Sequence, residues 1–136
     1  MTTEITVDVR YPDCDMMGIV HHAVYPVWYE MARMDYLAKL GFSFEQMHVF
    51  GIDPPMVSLN LTYHKPVRYP GTVTVKTNML SFAPKKLELH YETYCGGELA
   101  GTGTSFHIWT GPDMKSLDME KAHPDVYAKI QKAYEG

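Results

Sequence analysis

YPDCDMMGIVHHAVYPVWYEMARMDYLAKLG, residues 11 to 41, is the stretch around which the rest of the chain is arranged. It opens as a turn with two carboxylates, Asp13 and Asp15, and passes Gly18 and the pair His21 and His22. A helix follows, starting between His22 and Pro26. Proline is tolerated in a first helical turn, where its missing N–H has no partner to lose. Val27, Trp28, Tyr29, Met31, Ala32, Met34, Tyr36, Leu37, Ala38 and Leu40 then cover most of the helix circumference. A helix apolar nearly all round is expected to be buried on most sides. Gly41 suits its C-terminal end. Polar side chains therefore crowd the start of a buried helix, where backbone N–H groups are unpaired and the dipole is positive.

Working outward, Ile5, Val7 and Val9 alternate with polar residues as in a half-buried strand. Beyond the helix, residues 44–48 read as a short helical piece, closed by Gly51 and Pro54-Pro55. Four strand patterns follow, at 56–65, 72–82, 86–94 and 98–110, each with period-two alternation. Gly96-Gly97 is a hairpin signal. Gly101 and Gly103 lie two apart on one face of the last strand. Glycine weakens a strand, so the pair marks a place where another element comes close, and the long helix is the candidate. Residues 124–134 form a modest amphipathic helix. The expected fold is α+β: one long helix against an antiparallel sheet whose last four strands are joined by hairpins.

The chain has 136 residues, which suits a single domain over 1–136. Its net charge of -4 argues against a general nucleic-acid binder, which carries a basic face. Two cysteines, Cys14 and Cys95, are too few for a secreted disulfide framework and suit a reducing compartment. MTTEITVDVR is acidic where a signal peptide is basic, and no apolar run approaches a membrane span of about 20 residues. A cytoplasmic location is expected.

Each candidate site residue has a plain structural alternative. Asp13 and Asp15 fit turn and cap chemistry, more so for Asp13. Glu30 fits either a solvated helix edge or a buried partner of the site. Lys85 and Lys86 at a hairpin tip, and Arg68, fit either solvated charges or contacts to the phosphates of a bulky ligand. The histidine pair and the aspartates do not complete a metal site, and none is expected. No Gly-rich phosphate loop and no Gly-x-Ser-x-Gly elbow is present.

The run DCDMMGIVHHAVYPVWYEMAR resembles the signature of the hotdog-fold acyl-CoA thioesterases, in particular the 4-hydroxybenzoyl-CoA thioesterase family with its Tol–Pal-linked members. VSLNLTYHKPVRYPGTVTV is similar to that family's first long strand and hairpin, so the resemblance covers nearly the whole chain. It implies a hotdog fold, an antiparallel sheet wrapped around one central helix. It also implies homodimers with shared active sites, often paired into homotetramers, and hydrolysis of an acyl-CoA to free acid and coenzyme A. No cofactor is implied, since coenzyme A belongs to the substrate. Asp15 matches the catalytic carboxylate. His22 matches the residue whose backbone N–H polarises the thioester carbonyl. Tyr25 and Glu30 match positions that are commonly Tyr and acidic. Lys85 and Lys86 match a basic patch associated with the coenzyme A phosphates, and Arg68 is a further candidate for contact with them. Met16-Met17 and His21 depart from the pattern. The competing classes are a non-catalytic acyl-CoA-binding hotdog module and a dehydratase.

Overall fold

The computed structural model describes residues 1–136. Strand β1 (Thr2–Asp8) leads through a short 3-10 turn (Tyr11–Asp13) to the long helix α1 (Val24–Lys39). Helix α2 (Phe44–Val49) follows, then strands β2 (Met56–Tyr63), β3 (Thr72–Ala83), β4 (Lys86–Cys95) and β5 (Glu98–Ile108), and helices α3 (Met119–Ala122) and α4 (Pro124–Glu135). All five strands form one antiparallel sheet in the order β1-β3-β4-β5-β2. The α+β architecture of one helix against one antiparallel sheet is therefore as expected.

The connectivity differs from the expected run of hairpins. Hairpins join β3 to β4 and β4 to β5, and Gly96 and Gly97 take φ of 60° and 77° at the second turn. Strand β2, however, pairs with β5, and β3 pairs with β1 on the other side of the sheet. Residues 64–71 make this crossing. They run past the start of α1, where Val20 N–H donates to the Val67 carbonyl and Val9 N–H to the Gly71 carbonyl. Period-two alternation marks strands but says nothing of which strands pair, so the crossing is not legible in the pattern.

Helix α1 buries Tyr25, Trp28, Tyr29, Ala32, Tyr36 and Leu37 against the sheet. These lie at spacings of three and four and make one stripe. Val27, Met31 and Met34 remain 54%, 44% and 39% exposed. This corrects the expectation of burial on most sides, because a single sheet covers a single side of a helix. Strand β2 is open in the same way: Val57 and Tyr63 are exposed, and one edge of the strand has no partner.

The glycines of β5 do meet the helix. A Cβ on Gly101 would lie 3.0 Å from Cε1 of Tyr25, and one on Gly103 would lie 2.6 Å from Cε2 of Tyr29 and 2.8 Å from the Asn60 carbonyl oxygen. A tyrosine locked in the core and a backbone oxygen in β2 cannot both move aside cheaply. Gly103→Ala is expected to destabilise the fold by about 1–3 kcal/mol, the usual range for overpacking. Urea unfolding measures it, and an unchanged midpoint would show that the sheet and α1 are not in this contact.

Candidate active site

Two stretches far apart in sequence meet at the start of α1. Residues 13–25 bring Asp15 from the turn, His22 from the approach to the helix and Tyr25 from its first turn, and the crossing segment brings Arg68. Together with Tyr63, His64 and neighbours they line one open cavity of about 520 Å³.

The two aspartates have separate duties. Asp13 is buried, with one carboxylate oxygen receiving the Arg10 backbone N–H at 2.8 Å and the other the Arg10 guanidinium at 2.9 Å. Burial pushes its pKa up, but the bonds from Arg10 outweigh that and hold it below the usual value. Asp13 is thus a structural cap, the plainer of its two readings. Asp15 is half-buried and lines the cavity. Its Oδ1 accepts the Met17 N–H at 2.8 Å, while its backbone bonds to Ile19 and Gly18 close the turn. Oδ2 makes no hydrogen bond within the chain. Asp15 therefore combines the turn role with a free carboxylate oxygen at the cavity.

The opening of α1 carries Ala23 at the cap position, with no side-chain cap. Ser, Thr or Asp would consume a helix donor there, and Ala leaves donors available. The backbone N–H of His22 has no partner in the chain. An unpaired donor beside a helix N-terminus suits a developing negative charge. Tyr25 is buried edge-on to Tyr63, with ring centroids 5.0 Å apart. Burial pushes its hydroxyl up to about 12, with Tyr63 and Cys95 adding to the shift. The hydroxyl stays protonated at neutral pH, so Tyr25 serves as a donor or a wall and not as a base.

Arg68 supplies the cation of the cavity. Its Nη1 reaches the carbonyls of Met17 and Gly18 at 3.3 and 3.4 Å, and it pairs with no carboxylate. Lys65 also lines the cavity, but its charge is matched by Glu98 at 2.9 Å.

Three of the expected site residues lie elsewhere in the chain. Glu30 is five residues beyond Tyr25, roughly 140° around the helix. It lines a second cavity of about 450 Å³ with Arg33, Met56 and His107. Lys85 and Lys86 sit at the β3–β4 turn, and Lys86 pairs with Ile108 at the end of β5 remote from Gly101. With seven residues of strand between, that is on the order of 20 Å from Tyr63.

Sequence reasoning missed Tyr63, His64, Pro66 and Val67, since only the strand crossing carries them to α1. It also missed a buried polar chain. Arg33 Nη1 donates to the Tyr91 hydroxyl at 3.3 Å, Tyr91 and Ser105 are 2.6 Å apart, Ser105 and His107 Nε2 are 2.7 Å apart, and His107 Nδ1 is 3.0 Å from the Pro54 carbonyl. The ends set its direction: a guanidinium only donates and a carbonyl only accepts. Nδ1 of His107 therefore carries the proton, and Nε2 accepts from Ser105. Burial pushes His107 down to about 4, and Arg33 adds to this, against the Pro54 bond that raises it. The polar face of β5, with Ser105 and His107 in step with the two glycines, was the available signal.

The family model described as the thioesterase superfamily matches residues 17–101. A Bacillus subtilis protein named "Putative acyl-CoA thioesterase YneP" is 36% identical over 129 residues, 93% of this chain and 94% of that one. The crystal structure of a DHNA-CoA thioesterase from Staphylococcus aureus superposes with a TM-score of 0.91 at 34% identity, over 96% of this chain and 89% of the other. A Thermus thermophilus structure gives 0.90 at 28% identity, over 96% and 98%. No helix here is long and apolar enough to cross a membrane. Since the family match covers more than half of the chain, from the exit of the Asp15 turn through α1 and strands β2 to β4, the chain belongs to the thioesterase superfamily.

Proposed function

We propose that this protein hydrolyses the thioester of an acyl-CoA, giving the free acid and coenzyme A. The observation that carries the reading is the pairing, in one cavity, of a free carboxylate oxygen on Asp15 with the unpartnered amide of His22 at the start of α1. The thioester carbonyl oxygen lies against that amide, which stabilises the charge that develops when the carbonyl carbon is attacked. Asp15 Oδ2 is the reacting oxygen. It either takes a proton from the attacking water or attacks the carbonyl itself, forming an anhydride that water then opens. In both routes the C–S bond breaks and coenzyme A leaves as the thiol. Tyr25 shapes the cavity wall. Thiol release from a panel of acyl-CoAs, with binding measured in parallel, tests the reading. Binding without release from any of them would make the protein an acyl-CoA-binding module instead.

The unpaired edge of β2, together with the exposed Val57, Val27, Met31 and Met34, supports a homodimer formed through this face. A two-fold pairing of β2 edges brings the Glu30 and Lys85–Lys86 end of one copy toward the Asp15 cavity of the other. That would give Glu30, Lys85 and Lys86 a place in a shared site. The single cluster of 23 buried apolar residues supports one domain over 1–136, and the free thiols of Cys14 and Cys95 suit the cytoplasm.

The cations separate by kinetics. Replacing Lys85 and Lys86 together with Ala is expected to raise KM severalfold at near-constant kcat, since they meet only the remote phosphates. Arg68→Ala should raise KM and lower kcat together, because its guanidinium also holds the carbonyls of the Asp15 turn. An unchanged KM for the double variant at low salt would remove the lysines from the substrate site.

A further inference from the structure

Among the backbone N–H groups from His21 to Val24, that of His22 alone has no partner. His21 N–H donates to the Asp13 carbonyl at 2.8 Å, and Val24 N–H to the His21 carbonyl at 3.0 Å. Ala23 N–H donates to Nδ1 of the His21 ring at 3.1 Å. The His22 carbonyl, at the other end of that same peptide unit, accepts the Tyr63 hydroxyl at 3.0 Å. One peptide is thus held at both ends by side chains, one from the turn before the helix and one from β2. The free amide lies one peptide earlier. With no side-chain cap at Ala23, the backbone bonds of His21 and these two side-chain bonds are what hold this stretch.

From this geometry we infer that Tyr63 and His21 are positioning residues: they hold the peptide following His22 so that the His22 amide is aimed as an oxyanion donor. The inference rests on the thioesterase reading above. Each tether acts on a different atom. The Tyr63 ring is also braced edge-on against Tyr25, so its hydroxyl is delivered from a fixed ring. The His21 ring also packs at a tilt against that of His22, with ring centroids 4.0 Å apart. An acceptor Nδ1 requires the proton on Nε2. A donor released from its geometry loses a large part of its effect on the transition state, since misplacement on the scale of an ångström costs up to about 100-fold.

Tyr63→Phe keeps the ring and removes only the hydroxyl. It is expected to lower kcat about tenfold or more, with KM within about twofold of wild type. His21→Ala should do the same. His21→Asn places a carbonyl oxygen near the position of Nδ1 and should recover most of the rate that Ala loses. Amide exchange read on the unliganded protein gives a second measurement: the Ala23 amide should exchange faster in His21→Ala and return toward wild type in His21→Asn. If Tyr63→Phe leaves kcat unchanged, or raises KM alone, Tyr63 is not a positioning residue. If Asn is no better than Ala in rate and exchange, the His21 tether is wrong. Wild-type protein that releases no thiol from any acyl-CoA would defeat the thioesterase reading itself, and the exchange data would still decide whether the His21 tether exists.

Discussion

Asp15→Asn is expected to lower kcat by at least about 100-fold, within the 10²–10⁴ range for losing a positioned base. The substitution is well suited to the question because the side chain has two duties on two oxygens. Oδ1 holds the turn by accepting the Met17 N–H, and an asparagine oxygen accepts it equally well. Oδ2 is the free oxygen, and there the substitution replaces a carboxylate with an amide that neither attacks nor takes a proton. The variant should therefore fold with an unchanged urea midpoint and bind acyl-CoA, while turning it over slowly. Turnover within about threefold of wild type would remove Asp15 from the chemistry. After a single turnover of wild-type enzyme in heavy-oxygen water, label on Asp15 with an unlabelled acid product shows that Asp15 attacked the carbonyl and that water opened the anhydride at the Asp15 carbonyl.

The second large effect is on stability and comes from His107. Its folded pKa is about 4 against an ordinary 6.5, because burial penalises the imidazolium and Arg33 adds to that penalty. Between these two values the unfolded chain binds the proton and the folded chain does not. Stability therefore falls as pH falls through this window and is fully present only above 6.5. The shift corresponds to about 3 kcal/mol. The polar chain matches the neutral ring: protonation would turn Nε2 from acceptor to donor, and the Ser105 hydroxyl proton would lose that partner. Urea unfolding at pH 7.5, 5.5 and 4.5 measures the slope. His107→Gln, compared with wild type at each pH, isolates this residue from the other histidines and the carboxylates. The variant should be less stable than wild type at pH 7.5 and should lose much of the slope above pH 4.5. A slope equal to that of wild type would mean that His107 titrates normally in the folded chain.

The chain of bonds also shows why certain polar residues are tolerated in this core. Tyr91, Ser105 and His107 are all essentially inaccessible to solvent. An unsatisfied polar group there costs about 1–3 kcal/mol, yet each of these finds a partner in the next, from α1 through two strands to the loop before β2. The same face of β5 then admits α1 through its glycines. A strand face that looks too polar and too small for a core is thereby the seat of the long helix.

What the residues alone determined is local. Period-two alternation gave the strands, Gly96-Gly97 a hairpin, and Pro26 with Gly41 the limits of a helix. The spacing of Gly101 and Gly103 located the contact with α1, because only a residue without Cβ leaves room for Tyr29 against that strand. The resemblance carried by residues 13–33 singled out Asp15, His22 and Tyr25, and these do share a cavity with Arg68. What only the tertiary structure decided is non-local: the crossing of residues 64–71 from one edge of the sheet to the other, the delivery of Tyr63 and Arg68 to the helix start, the separation of Glu30 and the two lysines from Asp15, and the bare apolar side of α1. Alternation reports which face of a strand is buried, through the exclusion of water from apolar groups. It does not report which edge meets which, because backbone hydrogen bonds are nearly the same for every pairing, and only packing of the whole chain chooses among them.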